Sequence, residues 1–302
     1  MITIEESKTN NISSQSDNFI LQRNNNIIAI AESNIGKLRE KNEDFYGLFI
    51  NDEDPNLILI AVADGLGGLH GSERASRYTI KKLGHFFEKS NPEDINHPNR
   101  YKLYLDRKIR EINKTLPVGG TTLTGAILGK ENLIIFNIGD SRTYGFKNNK
   151  LIQLTEDDSK VWEIYKQGLV KKDDIRFIYG NNIMTEAIDG LPWSIHPRYK
   201  IVNKNQYDAL LLTSDGIHDI LSDKTMEDII INNINDPQMI INRIIDISVN
   251  GPADEISEES MEDIYAIGDI PFSKTQPGKD NATGMFVLTK KIGGIRWLFK
   301  LL

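Results

Sequence analysis

Four aspartates stand at the ends of apolar segments of this chain. Asp64, Asp140 and Asp215 each close a hydrophobic run and are followed by Gly or Ser, and Asp280 comes just before another apolar run. A single Asp-Gly after a strand is commonly only a turn, because Asp caps its own backbone and Gly tolerates positive φ. If the strand ends meet at one rim, however, the carboxylates repel one another unless a cation neutralises them.

The other side chains of the sequence limit which cation this could be. The chain has no cysteine and only five histidines, so disulfides, thiolate metal sites and thiol nucleophiles are excluded. Zinc and copper are therefore less expected than hard divalent ions, which choose oxygen ligands. The carboxylates predict a site for Mg²⁺ or Mn²⁺.

The elements that must position these residues are strands and helices that occur in runs. Apolar, β-branched runs predict strands at residues 26–33, 44–50, 57–63, 208–216 and 283–290. Apolar residues at helical spacing predict helices at 72–87, 100–114, 216–232 and 236–249. Because the two types do not alternate strictly, we expect an α+β fold with largely antiparallel sheets.

Composition divides the chain into a domain and three less regular segments. Residues 1–25 are rich in Asn, Ser and Gln and predict a flexible leader, without the apolar core of a signal peptide. A domain follows over 26–290, in which 158–190 predict a flap of short helices and loops, and 251–279 an exposed acidic insertion. The amphipathic tail, 291–302, either packs on the domain or contacts a partner or a membrane surface.

Charge and hydropathy exclude some partners and suggest a location. The 302 residues carry a formal net charge of −7, which gives no basic surface for nucleic acid. No apolar run has the length of a transmembrane helix. The absence of cysteine fits a reducing compartment, so we expect a cytoplasmic protein.

Seven segments of the chain resemble, in order, the motifs of the protein phosphatase 2C family, the metal-dependent serine/threonine phosphatases, in their bacterial form. They are GKLREKNEDFYG, VADGLGGLHGSERAS, GGTTLTGAIL, NIGDSRTYGF, LIQLTEDDS, LLLTSDGIHDIL and KDNATGMFVL. The resemblance implies two antiparallel sheets packed as a sandwich, with helices on both outer faces. It also implies two Mn²⁺ or Mg²⁺ ions in a cleft at one edge.

Residue by residue, the resemblance assigns the metal ligands. Asp64 would bridge the two ions, the carbonyl of Gly65 would bind one of them, and Asp215 and Asp280 would hold the other. Each of these residues matches a family motif in the sequence.

The same resemblance assigns the residues around the ligands. Glu43 and Asp44 would act in an outer shell through water, and Asp140 and Asp219 would help to hold a third, weaker ion. Arg39 would bind the substrate phosphate, for which an arginine fork is well suited.

The activity implied is hydrolysis of phosphoserine and phosphothreonine in proteins by direct attack of a water activated by two metal ions. The substrates would be products of a serine/threonine kinase. Leu66 departs from the pattern, since some members place a histidine there as an acid, and Asp158 departs from the usual Asp-His-Ser.

Two other readings of the residues stay open. The chain could be a weak or inactive binding or regulatory module on the phosphatase fold, which the departure at Leu66 and the acidic insertion allow. An aspartyl-phosphate phosphotransferase also uses a strand-end aspartate and Mg²⁺. That chemistry needs a second aspartate two residues after Asp64, where this chain has Leu66.

Overall fold

The fold is built from eleven strands in two sheets, within the part of the chain that the structure describes. This computed structural model describes residues 17–23, 27–178, 180, 182–191, 195–252 and 275–289. In chain order the strands are Asp17–Arg23 (β1), Ile27–Asn34 (β2), Phe45–Ile50 (β3), Ile58–Ala63 (β4), Leu123–Leu128 (β5), Asn132–Ile138 (β6), Arg142–Lys147 (β7), Lys150–Gln153 (β8), Arg198–Asn203 (β9), Ala209–Thr213 (β10) and Ala282–Leu288 (β11).

Every strand pairs antiparallel with its neighbours. One sheet has six strands in the order β1-β2-β11-β10-β7-β8, and the other has five in the order β3-β4-β5-β6-β9. The tight β5–β6 and β7–β8 connections are hairpins, and the second uses Asn148 and Asn149 at positive φ.

The two sheets pack face to face over a shared apolar core. Strand β4 shows why, because it is buried on both faces and reads as an unbroken hydrophobic run. Ile58, Ile60 and Val62 pack against Leu210, Leu212 and other residues of the opposite sheet. The side chains between them in β4 point the other way and pack beneath the outer helices, as the period of two in a strand requires.

Helices cover both outer faces of the sandwich. The helices are Ser72–Glu88 (α1), Pro92–Ile95 (α2), Pro98–Thr115 (α3), Lys160–Lys166 (α4), Asp215–His218 (α5), Asp223–Asn233 (α6) and Pro237–Asn250 (α7), with 3₁₀ turns at Lys172–Phe177 and Lys204–Gln206. Helices α1 and α3 pack on the five-stranded sheet, and α6 and α7 on the six-stranded one. The predicted four-layer α+β sandwich is therefore confirmed.

Part of the segment predicted as a leader forms a strand. Residues 17–23, expected within a flexible segment, form the edge strand β1, with Asp17 opposite Ser33 and Arg23 opposite Ile27 of β2. The backbone edge of β2 offers hydrogen bonds to any extended segment, whatever its composition, which a reading of side chains overlooks.

The other segment boundaries stay predictions. The stretch expected to be a flap contains α4 and the first 3₁₀ turn. Residues 1–16, most of the acidic insertion and the tail from residue 290 lie outside the described residues. Among the helices described, none has both the length and the apolar composition needed to cross a bilayer.

Candidate functional site

The strand-end aspartates meet in one cavity of about 460 Å³ at an edge of the sandwich. Asp64 follows β4 of the five-stranded sheet, whereas Asp215 follows β10 and Asp280 precedes β11 of the six-stranded sheet. Because β10 and β11 run antiparallel, with Thr213 opposite Gly284, the end of one strand and the start of the other lie side by side.

Seven of the nine predicted site residues line this cavity. They are Arg39, Asp64, Gly65, Asp140, Asp215, Asp219 and Asp280. Glu43 and Asp44 do not line it.

The carboxylates at the cavity disfavour one another's ionisation. Burial raises the pKa of Asp64 well above its ordinary value, and the charges of Asp44, Asp215 and Asp280 raise it further. The pKa of Asp215 is also raised well above its ordinary value, by burial and then by Asp280, Asp219 and Asp140. Convergence of the strand ends therefore creates the repulsion that the sequence predicted.

One ligand oxygen expected from the sequence has no partner. Oδ1 of Asp215 is buried and makes no hydrogen bond within the described residues. A buried anionic oxygen without a partner is costly, and a divalent cation is a partner that would also relieve the repulsion around it.

The donor set suits a hard ion that keeps part of its water. No three Asp, Glu or His side chains in the described ranges stand together as a set of ligands for one ion. Mg²⁺ is commonly held by only one or two carboxylates, with water and carbonyl oxygens filling the remaining positions. A site with these few ligands suits Mg²⁺ or Mn²⁺, which keep some water, and is unlike a structural metal site closed by protein ligands. The ligands would be Asp64, Asp215, Asp280 and the Gly65 carbonyl.

The backbone at Asp64 is fixed by hydrogen bonds on both sides. Its N–H donates to Oγ1 of Thr122 at 3.0 Å, and its carbonyl accepts from the Thr122 N–H at 2.8 Å. At Gly65 a Cβ atom would lie 2.8 Å from the Glu43 carbonyl oxygen and 2.9 Å from that of Ser72. Only glycine allows the backbone to pass this close to the two carbonyl oxygens, so Gly65 fixes the path of the loop that carries Asp64.

Arg39 lies against Asp280 at the cavity. Its Nη2 donates to Oδ2 of Asp280 at 2.5 Å, and its Nη1 lies 3.8 Å from a Glu43 oxygen. Gly67 makes room for the guanidinium, because a Cβ there would come within 2.9 Å of Nη1. The structure thus places the predicted phosphate ligand beside a predicted metal ligand.

Asn281 positions the segment that carries Arg39, and the sequence reading missed it. Its Oδ1 accepts from the Glu43 N–H at 2.8 Å, and its Nδ2 donates to the carbonyls of Ile35 and Lys41 at 2.8 and 3.0 Å. The available signal was an amide side chain directly after Asp280, in the motif KDN.

Asp44 lies deeper than the cavity and contacts Asp64. Oγ of Ser214 donates to its Oδ2 at 2.8 Å, and a hydrogen bond joins the Asp44 and Asp64 carboxyl groups. Burial raises the pKa of Asp44 to about 7. Burial also raises the pKa of Glu43, its neighbour in the chain.

Asp140 and Asp219 line the cavity with Asp215, and their charges act on it. The Asp219 N–H donates to the Asp215 carbonyl at 2.9 Å, so Asp219, the residue that follows α5, lies one helical turn from Asp215. Burial raises the pKa of Asp140 to about 7, and the charges of Asp157 and Asp219 contribute. Asp140, Asp215 and Asp219 therefore lie within range of one another's charges.

Asp158 ties the loop of Asp140 to two other segments. Its Oδ2 accepts from the Gly139 N–H at 3.1 Å, and its Oδ1 accepts from Nε of Arg198 at 2.7 Å. Its own carbonyl accepts from the N–H of Thr185 at 2.7 Å.

Two titratable residues near the motifs make structural contacts. Arg142 makes a buried fork on Asp157, with Nη2 2.7 Å from Oδ2 and Nε 3.0 Å from the same oxygen. His218 is buried, and its Nδ1 is 2.9 Å from Oγ1 of Thr213. Burial lowers the pKa of His218 well below its ordinary value, and Arg142 and Lys172 add to the effect.

Known proteins resemble this chain in both sequence and fold. It is 32% identical over 205 residues to the serine/threonine phosphatase stp of Listeria welshimeri, a match that covers 65% of this chain and 79% of that protein. The fold matches serine/threonine phosphatase Stp1 from Staphylococcus aureus with a TM-score of 0.70 at 23% identity, over 87% of this chain and 95% of the other.

A third relative was solved with metal. The catalytic domain of the serine/threonine protein phosphatase PstP, in complex with two manganese ions, matches with a TM-score of 0.63 at 22% identity, over 87% of this chain and 98% of that one. The sequence profile of the family described as protein phosphatase 2C matches residues 38–238, which is more than half of the chain. This chain belongs to the protein phosphatase 2C family.

Proposed function

We propose that the protein is a metal-dependent phosphatase that hydrolyses phosphoserine and phosphothreonine in proteins. The observation that carries this proposal is the gathering of Asp64, Asp215, Asp280 and Arg39 at one cavity, where Oδ1 of Asp215 has no partner in the described residues. The named relatives, which are serine/threonine phosphatases, support the same substrate class.

The carboxylates would hold two Mn²⁺ or Mg²⁺ ions. Asp64 would lie between them, the Gly65 carbonyl would bind one, and Asp215 and Asp280 would bind the other. Bound there, the two ions would acidify a water for direct attack on phosphorus and neutralise the phosphoryl oxygens.

Asp140 and Asp219, together with Asp215, would hold a third and weaker ion. Calorimetric titration of Asp219→Asn with Mn²⁺ should then lose the weakest binding step and keep the tighter ones.

The chain's own residues bind and orient the phosphate. Arg39 carries several N–H donors, of which the contact with Asp280 uses one, so a guanidinium already held at the cavity can donate the others to phosphate oxygens. Leu66 lines the cavity where a histidine acid would stand, and no histidine lines it in the described part of the chain. The proton for the leaving alkoxide would then come from solvent.

The test is release of phosphate from a phosphothreonine peptide by the purified protein. Turnover should require Mn²⁺ or Mg²⁺ and stop in EDTA. Arg39→Ala should raise KM for the peptide by about tenfold or more, since it removes a charge-assisted contact. Arg107→Ala, an exposed arginine on α3, is the matched control and should behave as wild type.

The opposite result would favour the binding or regulatory module. Uptake of Mn²⁺ in calorimetry, with no turnover of phosphothreonine, phosphoserine or p-nitrophenyl phosphate, would contradict the enzymatic proposal. The opposing kinase, the cytoplasmic location and a contact of the tail with a partner or membrane stay predictions.

A further inference from the structure

The outer face of α1 borders a groove of about 590 Å³, which shares no lining residue with the carboxylate cavity. Pro117, in the connection between α3 and β5, forms the opposite wall. Four cations of α1 line the groove, and no carboxylate of the described residues does. These cations are Arg74, Arg77, Lys81 and Lys82, and we call the site the basic groove.

The cations of the basic groove lie on one side of α1. Arg74, Arg77 and Lys81 follow one another at intervals of three and four residues, which places them on one face of the helix. Arg74, Lys81 and Lys82 are exposed, and Arg77 is half-buried. Like charges at this spacing destabilise a helix, and an anionic partner would relieve the repulsion.

No carboxylate in the described ranges forms an ion pair with any of these four cations. Glu73 and Glu111 act on them only at longer range. Glu73 has another partner, since its Oε1 lies 3.5 Å from Nζ of Lys41. Glu111 also has another partner, since its Oε2 lies 2.8 Å from Nζ of Lys108. The basic groove therefore keeps its positive charge, in a chain whose formal net charge is −7.

The uncharged walls of the groove favour a peptide over a free anion. Tyr78 and Pro117 line it, and the Tyr78 O–H donates to Oγ1 of Thr115 at 2.9 Å, which ties α1 to the end of α3. Nζ of Lys82 lies 5.7 Å from the centroid of the Tyr78 ring. An aromatic ring and a proline offer apolar contact to the stems of peptide side chains, which a free anion does not use.

The basic groove lies close to the carboxylate cavity. Leu66 lines that cavity, and its N–H donates to the Gly120 carbonyl at 2.9 Å. Pro117 is three residues before Gly120, so their Cα atoms are at most about 11 Å apart. An extended peptide advances about 3.3 Å per residue, so a peptide with its phosphate in the cavity reaches the groove within about five residues.

We propose that the basic groove binds an acidic segment of the phosphoprotein substrate, about four to eight residues from the phosphorylated one. This assignment rests on the phosphatase activity proposed above. Charge complementarity identifies the occupant, because carboxylates are the anions that a peptide brings to unpaired arginine and lysine side chains. Nucleic acid and anionic membranes are also negative, but they are larger polyanions and would face the negative charge of the rest of the chain.

The test compares two phosphothreonine peptides as substrates of the purified protein in Mn²⁺. One carries glutamates about four to eight residues from the phosphothreonine, on either side in separate versions, and the other carries glutamines there. Wild type should show a KM about tenfold lower for the acidic peptide at equal kcat, because each exposed charge pair contributes a few-fold. Raising NaCl from about 0.05 M to about 0.5 M should remove most of this difference.

A double charge reversal should remove the preference. Lys81→Glu with Lys82→Glu should raise KM for the acidic peptide by about tenfold and leave KM for the glutamine peptide unchanged. Hydrolysis of p-nitrophenyl phosphate should also stay unchanged, because neither lysine lines the carboxylate cavity. The matched control is Lys200→Glu with Arg243→Glu, which makes the same change in net charge at exposed positions of β9 and α7. It should keep the tenfold preference.

Failure of this proposal and failure of the phosphatase activity give different results. If wild type hydrolyses neither peptide and no p-nitrophenyl phosphate, the activity is wrong, and so is the substrate segment assigned to the groove. If both peptides are hydrolysed with equal KM, or if the control variant also loses the preference, the activity stands and the groove proposal is wrong. Tighter binding of a short DNA duplex or of phosphatidylserine vesicles than of the acidic peptide, lost in the Lys81 and Lys82 variant, would overturn it in favour of that partner.

Discussion

Two groups of buried carboxylates differ in what faces them. Asp157 receives the fork of Arg142, and Asp158 receives Nε of Arg198 at 2.7 Å. At the carboxylate cavity, by contrast, Asp64 and Asp215 face other carboxylates, and those charges raise the pKa of both.

The difference shows that burial alone does not tell whether an aspartate has a structural role or needs a cation. The charges that face it must also be known. All four residues have the same side chain and lie close to the end of a strand. The paired ones hold the structure together, whereas the unpaired ones destabilise it unless a cation binds. The comparison therefore separates the two groups of carboxylates without reference to the motif.

The largest effect is expected from a change in the unpaired group. Asp64→Asn should lower kcat/KM on a phosphothreonine peptide by about 10³-fold, or about 4 kcal/mol, because it removes the carboxylate expected between the two ions. Steady-state kinetics at saturating Mn²⁺ measure this. Asp228→Asn, which loses only an exposed ion pair on α6, is the control and should keep its activity. Equal activity in both variants would remove Asp64 from the mechanism.

A change in the paired group should act on stability instead. Asp157→Asn leaves the buried guanidinium of Arg142 without a counter-charge and should lower the free energy of unfolding by about 3 kcal/mol or more. Urea unfolding measures it. The double variant Asp157→Leu with Arg142→Met should recover most of the loss, because no charge is left buried. In EDTA, Asp64→Asn should raise stability, and a loss comparable to that of Asp157→Asn would abolish the distinction between the groups.

Metal should act through the unpaired group alone. Mn²⁺ at about a hundredfold excess over its Kd should stabilise the folded protein by about 2.7 kcal/mol, seen as a rise in Tm. The rise should be lost in Asp215→Asn and kept in the double variant of Arg142 and Asp157. A full rise in Asp215→Asn would place the ion elsewhere.

The smallest effect, counted per pH unit and per group, is a pH dependence in EDTA. The pKa of Asp44 and that of Asp140 are each raised from 3.8 to about 7, mainly by burial. Between these values the folded state holds protons that the unfolded chain has released, so stability should fall as pH rises toward 7. Each group contributes at most about 1.4 kcal/mol per pH unit.

Urea unfolding at several pH values in EDTA measures this slope, and Asp140→Asn should reduce it. Saturating Mn²⁺ should flatten it, because the ion takes the place of the protons. A slope unchanged by Asp140→Asn would show that this carboxyl group does not hold a proton in the folded state.

Much of the fold and of the candidate site could be predicted from the sequence because the relevant signals are local. A strand buried on both faces, such as β4, is an unbroken apolar run, and the aspartate that ends it can be read directly. The order of the motifs then supplied the sandwich and the expected convergence of Asp64, Asp215 and Asp280, which line one cavity in the structure.

The rest depends on contacts between distant segments. Strand β1 forms because the edge of β2 is available, and nothing within residues 17–23 announces that neighbour. The pairing of Asp158 with Arg198 joins residues 40 positions apart in the sequence. Neither the depth of Asp44 nor its hydrogen bond to Asp64 can be seen without the packing of the two sheets against each other.

The side chain of Asp158 has a mechanical consequence. Asp158 lies in the chain that precedes α4. Its carboxylate accepts hydrogen bonds from the turn after β6 and from the first residue of β9, and so links the three segments. Movement of the region around α4 would therefore pull on the turn that carries Asp140, so the position of Asp140 and the position of α4 should change together.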